Sequence, residues 1–103
     1  MQTISVQELK KRKDANEELY ILDVREPSEY AEVNMGAKLI PLGDIMNMQI
    51  DDIEDWKDKE VIVHCRSGMR SANACMILDQ LGFSNTKNLE GGINAWLELN
   101  KNQ

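Results

Sequence analysis

The chain has 103 residues, of which 42% are hydrophobic and 29% charged, and a formal net charge of −6. These values suit one small soluble domain with a modest core, and the acidic balance argues against nucleic acid as a general partner. No apolar run is long enough to span a membrane, and Met1-Gln2-Thr3-Ile4-Ser5 lacks a signal-peptide pattern, so a cytoplasmic location is expected.

Ser5-Val6-Gln7-Glu8 reads as a capping box, with Ile4 and Leu9 placed as a hydrophobic staple, so a helix is predicted over 6–12. The basic run 10–13 is the solvated end of that helix, and 14–18 is a polar loop. Tyr20-Ile21-Leu22 is a short strand whose continuous apolar character suits burial on both faces. Pro27 opens a short helix through Tyr30. Lys38-Leu39-Ile40 is a further strand, ended by Pro41. Asp44 is placed to cap a helix reaching about Met48. Over the acidic stretch 51–59, Ile53 and Trp56 are spaced as core contacts of one turn.

Val61-Ile62-Val63-His64 is the clearest strand, and a helix follows over 72–81 with Ala74, Ile77, Leu78 and Leu81 in register and Gly82 as its stop. Thr86-Lys87-Asn88-Leu89 is a strand. Gly91-Gly92 then opens a last helix with Ile93, Trp96 and Leu97 on one face. Strands alternating with helices point to an α/β fold with a parallel sheet covered on both sides. Ligands of such sheets bind beyond the carboxyl ends of the strands.

Cys65 stands at that place, at the head of Cys65-Arg66-Ser67-Gly68-Met69-Arg70-Ser71. A thiol in a tight strand-to-helix turn receives backbone N–H groups and the partial positive charge of the helix N-terminus. Arg66 and Arg70 add full charge, and all of these favour thiolate over thiol. The same turn would hold a small anion. A cation at a helix N-terminus is disfavoured, so Arg70 implies an anion that offsets it, and its planar fork suits sulfonate-like oxygens. Arg66 reads equally as a steering residue on the rim and as a solvated side chain. Gly68 supplies a backbone angle that other residues resist. Ser67 and Ser71 are placed to donate hydrogen bonds to thiolate or anion; Ser71 reads equally as an ordinary helix-terminal hydroxyl.

Asp23 and Arg25, at the same sheet edge, read first as a structural ion pair and second as support for the site. His64, the only histidine, precedes Cys65 and should point to the opposite face of the strand, which disfavours a Cys–His pair. One His and two distant Cys give no metal-ligand spacing. Cys75, among Met76, Ile77 and Leu78, reads as core. A helical rise puts the two cysteines roughly 15 Å apart, too far for a disulfide. Both are expected to be reduced thiols in a reducing compartment.

The loop resembles the active-site loop of the rhodanese family of sulfurtransferases. Three stretches agree with it in order: Leu22-Asp23-Val24-Arg25-Glu26-Pro27-Ser28-Glu29-Tyr30, Ile40-Pro41-Leu42, and Asn88-Leu89-Glu90-Gly91-Gly92-Ile93-Asn94-Ala95-Trp96. One departure is visible at Val33-Asn34-Met35-Gly36-Ala37, which lacks the family's histidine and is one residue short. The resemblance implies a single rhodanese-like domain over 1–103, three-layer α/β/α with a central parallel five-stranded sheet. It also implies a nucleophilic Cys65 and a substrate cradle of Arg66, Ser67, Gly68, Met69, Arg70 and Ser71, with no cofactor and no metal. The expected chemistry moves sulfane sulfur from thiosulfate or a persulfide to cyanide, a small thiol or a protein thiol. The runner-up is a persulfide carrier in a relay with a partner protein. A cysteine phosphatase or arsenate reductase ranks below both. The phosphatase-like loops place five residues between Cys and Arg, where this chain places four, and Asp23 is the one upstream candidate for the general acid that a phosphate ester would need.

Overall fold

In the computed structural model, which describes residues 1–101, five parallel strands form one sheet in the order β1-β5-β4-β2-β3. The strands are β1 (Gln2–Ile4), β2 (Tyr20–Asp23), β3 (Lys38–Leu39), β4 (Glu60–His64) and β5 (Asn85–Leu89). The helices are α1 (Val6–Asp14), α2 (Pro27–Glu32), α3 (Leu42–Met46), α4 (Met69–Gln80) and α5 (Gly92–Asn100), with a 3₁₀ turn over Asp51–Trp56.

The three layers follow from side-chain alternation along the strands. On one face Leu22, Val24, Val61, Val63 and Cys65 pack with Ile45, Ile53, Ala74, Cys75, Leu78 and Phe83 of the α3, 3₁₀ and α4 layer. On the other face Ile4, Ile62 and Leu89 pack with Val6 and Leu9 of α1, and Ala95, Trp96 and Leu99 of α5 lean on them. Each fully buried aliphatic side chain contributes about 1.5–3 kcal/mol. Ser5 caps α1 by accepting from the Glu8 amide at 3.1 Å, and Ile4 and Leu9 are both buried beneath it.

Several details differ from the sequence expectation: α4 begins at Met69, three residues before 72, and α1 and α2 run on to Asp14 and Glu32. The edge strand β1 has no counterpart there, because three residues with only Ile4 buried leave no pattern to read. Asp44 lies inside α3 rather than before it; the helix starts at Leu42 after Pro41 and ends at Met46. Strand β3 stops at Leu39, although the Ile40 amide still donates to the Asp23 carbonyl at 2.9 Å. Leu97 is 39% exposed, and the inward face of α5 is carried by Ile93, Trp96 and Leu99 instead.

The sheet order makes β4 central, with β2 and β5 on its flanks. Register sets Asp23 beside His64 and Asn88 beside Val63. The carboxyl ends of three strands therefore converge on the segment that follows His64.

Candidate active site at the Cys65 loop

Cys65 leaves β4 and is 1% exposed. The chain then turns through Arg66 and Ser67 and enters α4 after Gly68, whose φ of +120° is a conformation L side chains rarely adopt. That angle brings the Gly68 amide to 3.1 Å from Cys65 Sγ. Burial alone would push the thiol up. Against it stand the Ser71 hydroxyl, 3.4 Å from Sγ, and the backbone N–H groups of Ser71, Gly68 and Ser67, and the thiol lies below its ordinary value. Cys75, buried in α4, is pushed up to about 11 by loss of solvent. Both cysteines are free. Only one of the two meets the conditions for a reactive thiol.

The loop carbonyls face the other way. Those of Cys65 and Arg66 accept from the amides of Ile93 and Asn94 at 2.9 and 3.1 Å, so the first turn of α5 holds the outer side of the turn. The approach is close enough to demand glycine. A Cβ on Gly92 would stand 2.6 Å from the Cys65 and Arg66 carbonyls. Two helix N-termini thus share the loop: α4 supplies donors toward sulfur, and α5 turns the carbonyls away.

Ser71 is buried in the first turn of α4 and sits among three acceptors: Sγ, the Gly68 carbonyl at 3.2 Å and Asn88 Oδ1 at 2.5 Å. The orientation of the Asn88 amide is set by its own donation from Nδ2 to the Gly68 carbonyl at 3.1 Å. Asn88 therefore joins β5 to the loop. Beyond its place in the closing motif, no local signal in the sequence points to this role.

Arg70 is half-buried on α4 and Arg66 exposed on the turn, and both are engaged by Glu29 of α2. Arg70 donates to both carboxylate oxygens, at 2.7 and 3.0 Å, and Arg66 reaches Oε2 at 3.2–3.3 Å. The anion that a cation at this helix end calls for is supplied by the chain itself. The Arg70 guanidinium, helped by the Glu26 amide and Arg66, pulls the Glu29 carboxyl down to about 2. Glu29 in turn raises Arg70, and the Cys65 thiolate adds to that rise. Ser67 is exposed, and Met69, 81% exposed, stands at the mouth of the loop.

Asp23 and Arg25 form a buried pair, 0% and 1% exposed. Asp23 accepts from the Arg25 amide at 2.9 Å and from its guanidinium at 2.8–3.1 Å. The rest of the guanidinium donates to the Glu29 carbonyl within α2 and to the Val33 carbonyl just past its end, at 3.4 and 2.8 Å. This pair anchors the helix that carries Glu29, so it bears on the loop at one remove. In the segment lacking the family's histidine, Asn34 closes the end of α2: Nδ2 donates to the Tyr30 carbonyl at 3.0 Å and Oδ1 accepts from the Gly36 amide at 2.9 Å. His64 lies beneath the site with Nδ1 3.2 Å from the Cys65 carbonyl and Nε2 3.6 Å from Asp23. Burial pushes its imidazole below the ordinary value, against the smaller upward pull of Asp23.

Comparison with known proteins bears on the family and the fold. A family model described as "Rhodanese-like domain" matches residues 5–99. The chain is 47% identical to the Bacillus subtilis protein named "Putative sulfurtransferase YtwF", over 90% of this chain and 87% of that one. It is 34% identical to a sulfurtransferase of Allochromatium vinosum, over 90% of this chain and 85% of that protein. Among solved structures, a rhodanese-like domain protein from Staphylococcus aureus superposes with a TM-score of 0.81 at 32% identity, covering 93% of this chain and 91% of that one. A five-stranded parallel sheet with a cradled thiol at the end of its central strand thus stands in a chain similar to sulfurtransferases along nearly its whole length, and the chain belongs to the rhodanese-like domain family.

Proposed function

We propose that this chain transfers sulfane sulfur through a persulfide on Cys65. The observation that carries the reading is the setting of Cys65 Sγ, buried at the head of α4 with the Gly68 amide at 3.1 Å and the Ser71 hydroxyl at 3.4 Å, donors that favour the thiolate. In the first half-reaction the thiolate attacks the outer sulfur of thiosulfate or of a protonated persulfide. A new S–S bond forms, the donor's S–S bond breaks, and sulfite or a thiolate leaves with the electron pair. In the second, a thiolate or cyanide attacks the outer sulfur on Cys65 and returns the Cys65 thiolate. The two steps predict ping-pong kinetics and call on no cofactor. Negative charge on Cys65 itself, as thiolate or as ionised persulfide, lies within reach of fixed N–H donors that need no reorganisation. In this reading Arg66, Ser67, Gly68, Met69, Arg70 and Ser71 line the substrate seat, and Asp23 and Arg25 support it through α2. A protein thiol as acceptor would make the same chemistry a relay.

The test is intact mass after incubation with thiosulfate, and separately with glutathione persulfide, followed by removal of excess donor. The native chain should gain one sulfur atom, reversibly by cyanide, and Cys65→Ala none. A folded, reduced native chain that gains no sulfur from either donor overturns the proposal.

A further inference from the structure

Glu29 lies in the stretch 22–30, outside the Cys65 loop, yet its carboxylate is bidentate on Arg70 and touches Arg66. These are the two cations that would receive the oxygens of a sulfonate. This is not a loose surface bridge. The Glu29 side chain is 16% exposed. Its Oε1 also accepts from the Glu26 amide at 3.0 Å. Its backbone carbonyl is held by Arg25, itself locked to Asp23 in the interior. Two cations therefore meet one carboxylate and one thiolate, and the loop offers an arriving dianion no net positive charge.

We propose that Glu29 is a specificity-determining residue: it takes the place of a sulfonate on Arg66 and Arg70, and so turns the site away from thiosulfate and toward persulfide donors. This rests on the persulfide reading of Cys65. A persulfide RS–SH delivers its outer sulfur and releases RS⁻ without needing a seat for three oxygens. Thiosulfate must either displace Glu29 from Arg70 or bind beside it against its charge.

The experiment compares kcat/KM for thiosulfate and for glutathione persulfide, with cyanide as common acceptor, in the native chain and in Glu29→Gln. Gln keeps the size and the acceptor for the Glu26 amide but removes the charge. The ratio of thiosulfate to persulfide efficiency should rise by at least about tenfold, the lower bound set by one charge acting on a dianion a few ångströms away through the dielectric of water. An unchanged or lowered ratio overturns the assignment. A second measurement uses only the native chain: sulfate, as an inert dianion, is added during alkylation of Cys65 by iodoacetamide. Sulfate at millimolar concentration should leave the rate unchanged, and marked protection would show the arginines open to dianions and overturn the assignment. This arm stands even if neither donor loads sulfur, so failure of the persulfide reading and failure of the Glu29 role are distinguishable.

Discussion

Ser71 has one hydroxyl proton and three acceptors within reach. With a neutral thiol, the shorter contact to Asn88 Oδ1 claims that proton. With a thiolate, rotation toward Sγ gains a charge-assisted bond. Ser71→Ala should therefore raise the Cys65 pKa. Because the native thiol lies below its ordinary value, the pH midpoint of alkylation should move upward and the rate at neutral pH should fall. An unmoved midpoint would show that the backbone donors act alone. The substitution leaves Gly68 and Ser67 in place, so the shift is a fraction of the whole. The donors that lower the thiol come from Ser67, Gly68 and Ser71, all in the same turn, and for that reason the nucleophile is legible in the sequence. Glu29 and Asn88 reach the loop from other strands and helices, and no local spacing encodes such meetings.

Among the helices, α5 shows how an element at one end of the chain governs a loop elsewhere. Gly92 has φ +57° and no room for a side chain, whereas Gly36 has φ +83° and open space where a Cβ would stand. The pair separates backbone strain from contact. Gly36→Ala should cost only the left-handed penalty, roughly 1–2 kcal/mol. Gly92→Ala adds a collision with backbone that cannot rotate away, so it should destabilise by more, on the order of 3 kcal/mol or above. It should also slow Cys65 alkylation, because the carbonyls that α5 holds would shift. Equal melting curves for the two variants would contradict this account. The Gly91-Gly92 signal is readable as a helix start, but its reason is not, since the obstructing carbonyls belong to residues 65 and 66. The same limit applies to β1: its pairing with β5 is tertiary, and Gln2 and Thr3 show no apolar pattern.

For the molecule as a whole, the shifted carboxylates and the imidazole agree in sign on the acid side. Glu29 and Glu60 are both pulled down to about 2, by Arg70 and by Arg12 respectively as the main causes. His64 is pushed below its ordinary value by burial. In each case the unfolded chain binds the proton more readily, so stability falls as pH falls. The His64 contribution is present above about 6.5 and is lost below it, and the two carboxylates follow between about 4.5 and 2. Thermal midpoints measured from pH 7 downward should begin to decline below about 6.5 and fall further below about 4.5. Glu29→Gln should lessen the fall below about 4.5, and a flat profile between pH 7 and 3 would count against both the two ion pairs and the burial of a neutral His64.

The sheet's borders carry a different consequence. Strand β1 offers three residues of ladder and β3 only two, with Lys38 exposed on the latter. A strand from a neighbouring molecule would find too short a template on either side to repay the order it gives up. The apolar strand that positions the sulfur, β4, is the innermost one. The segment best suited to intermolecular stacking is thus sealed by its neighbours in the native state. Strand-mediated association should threaten this protein only after it has opened, through the 61–63 run.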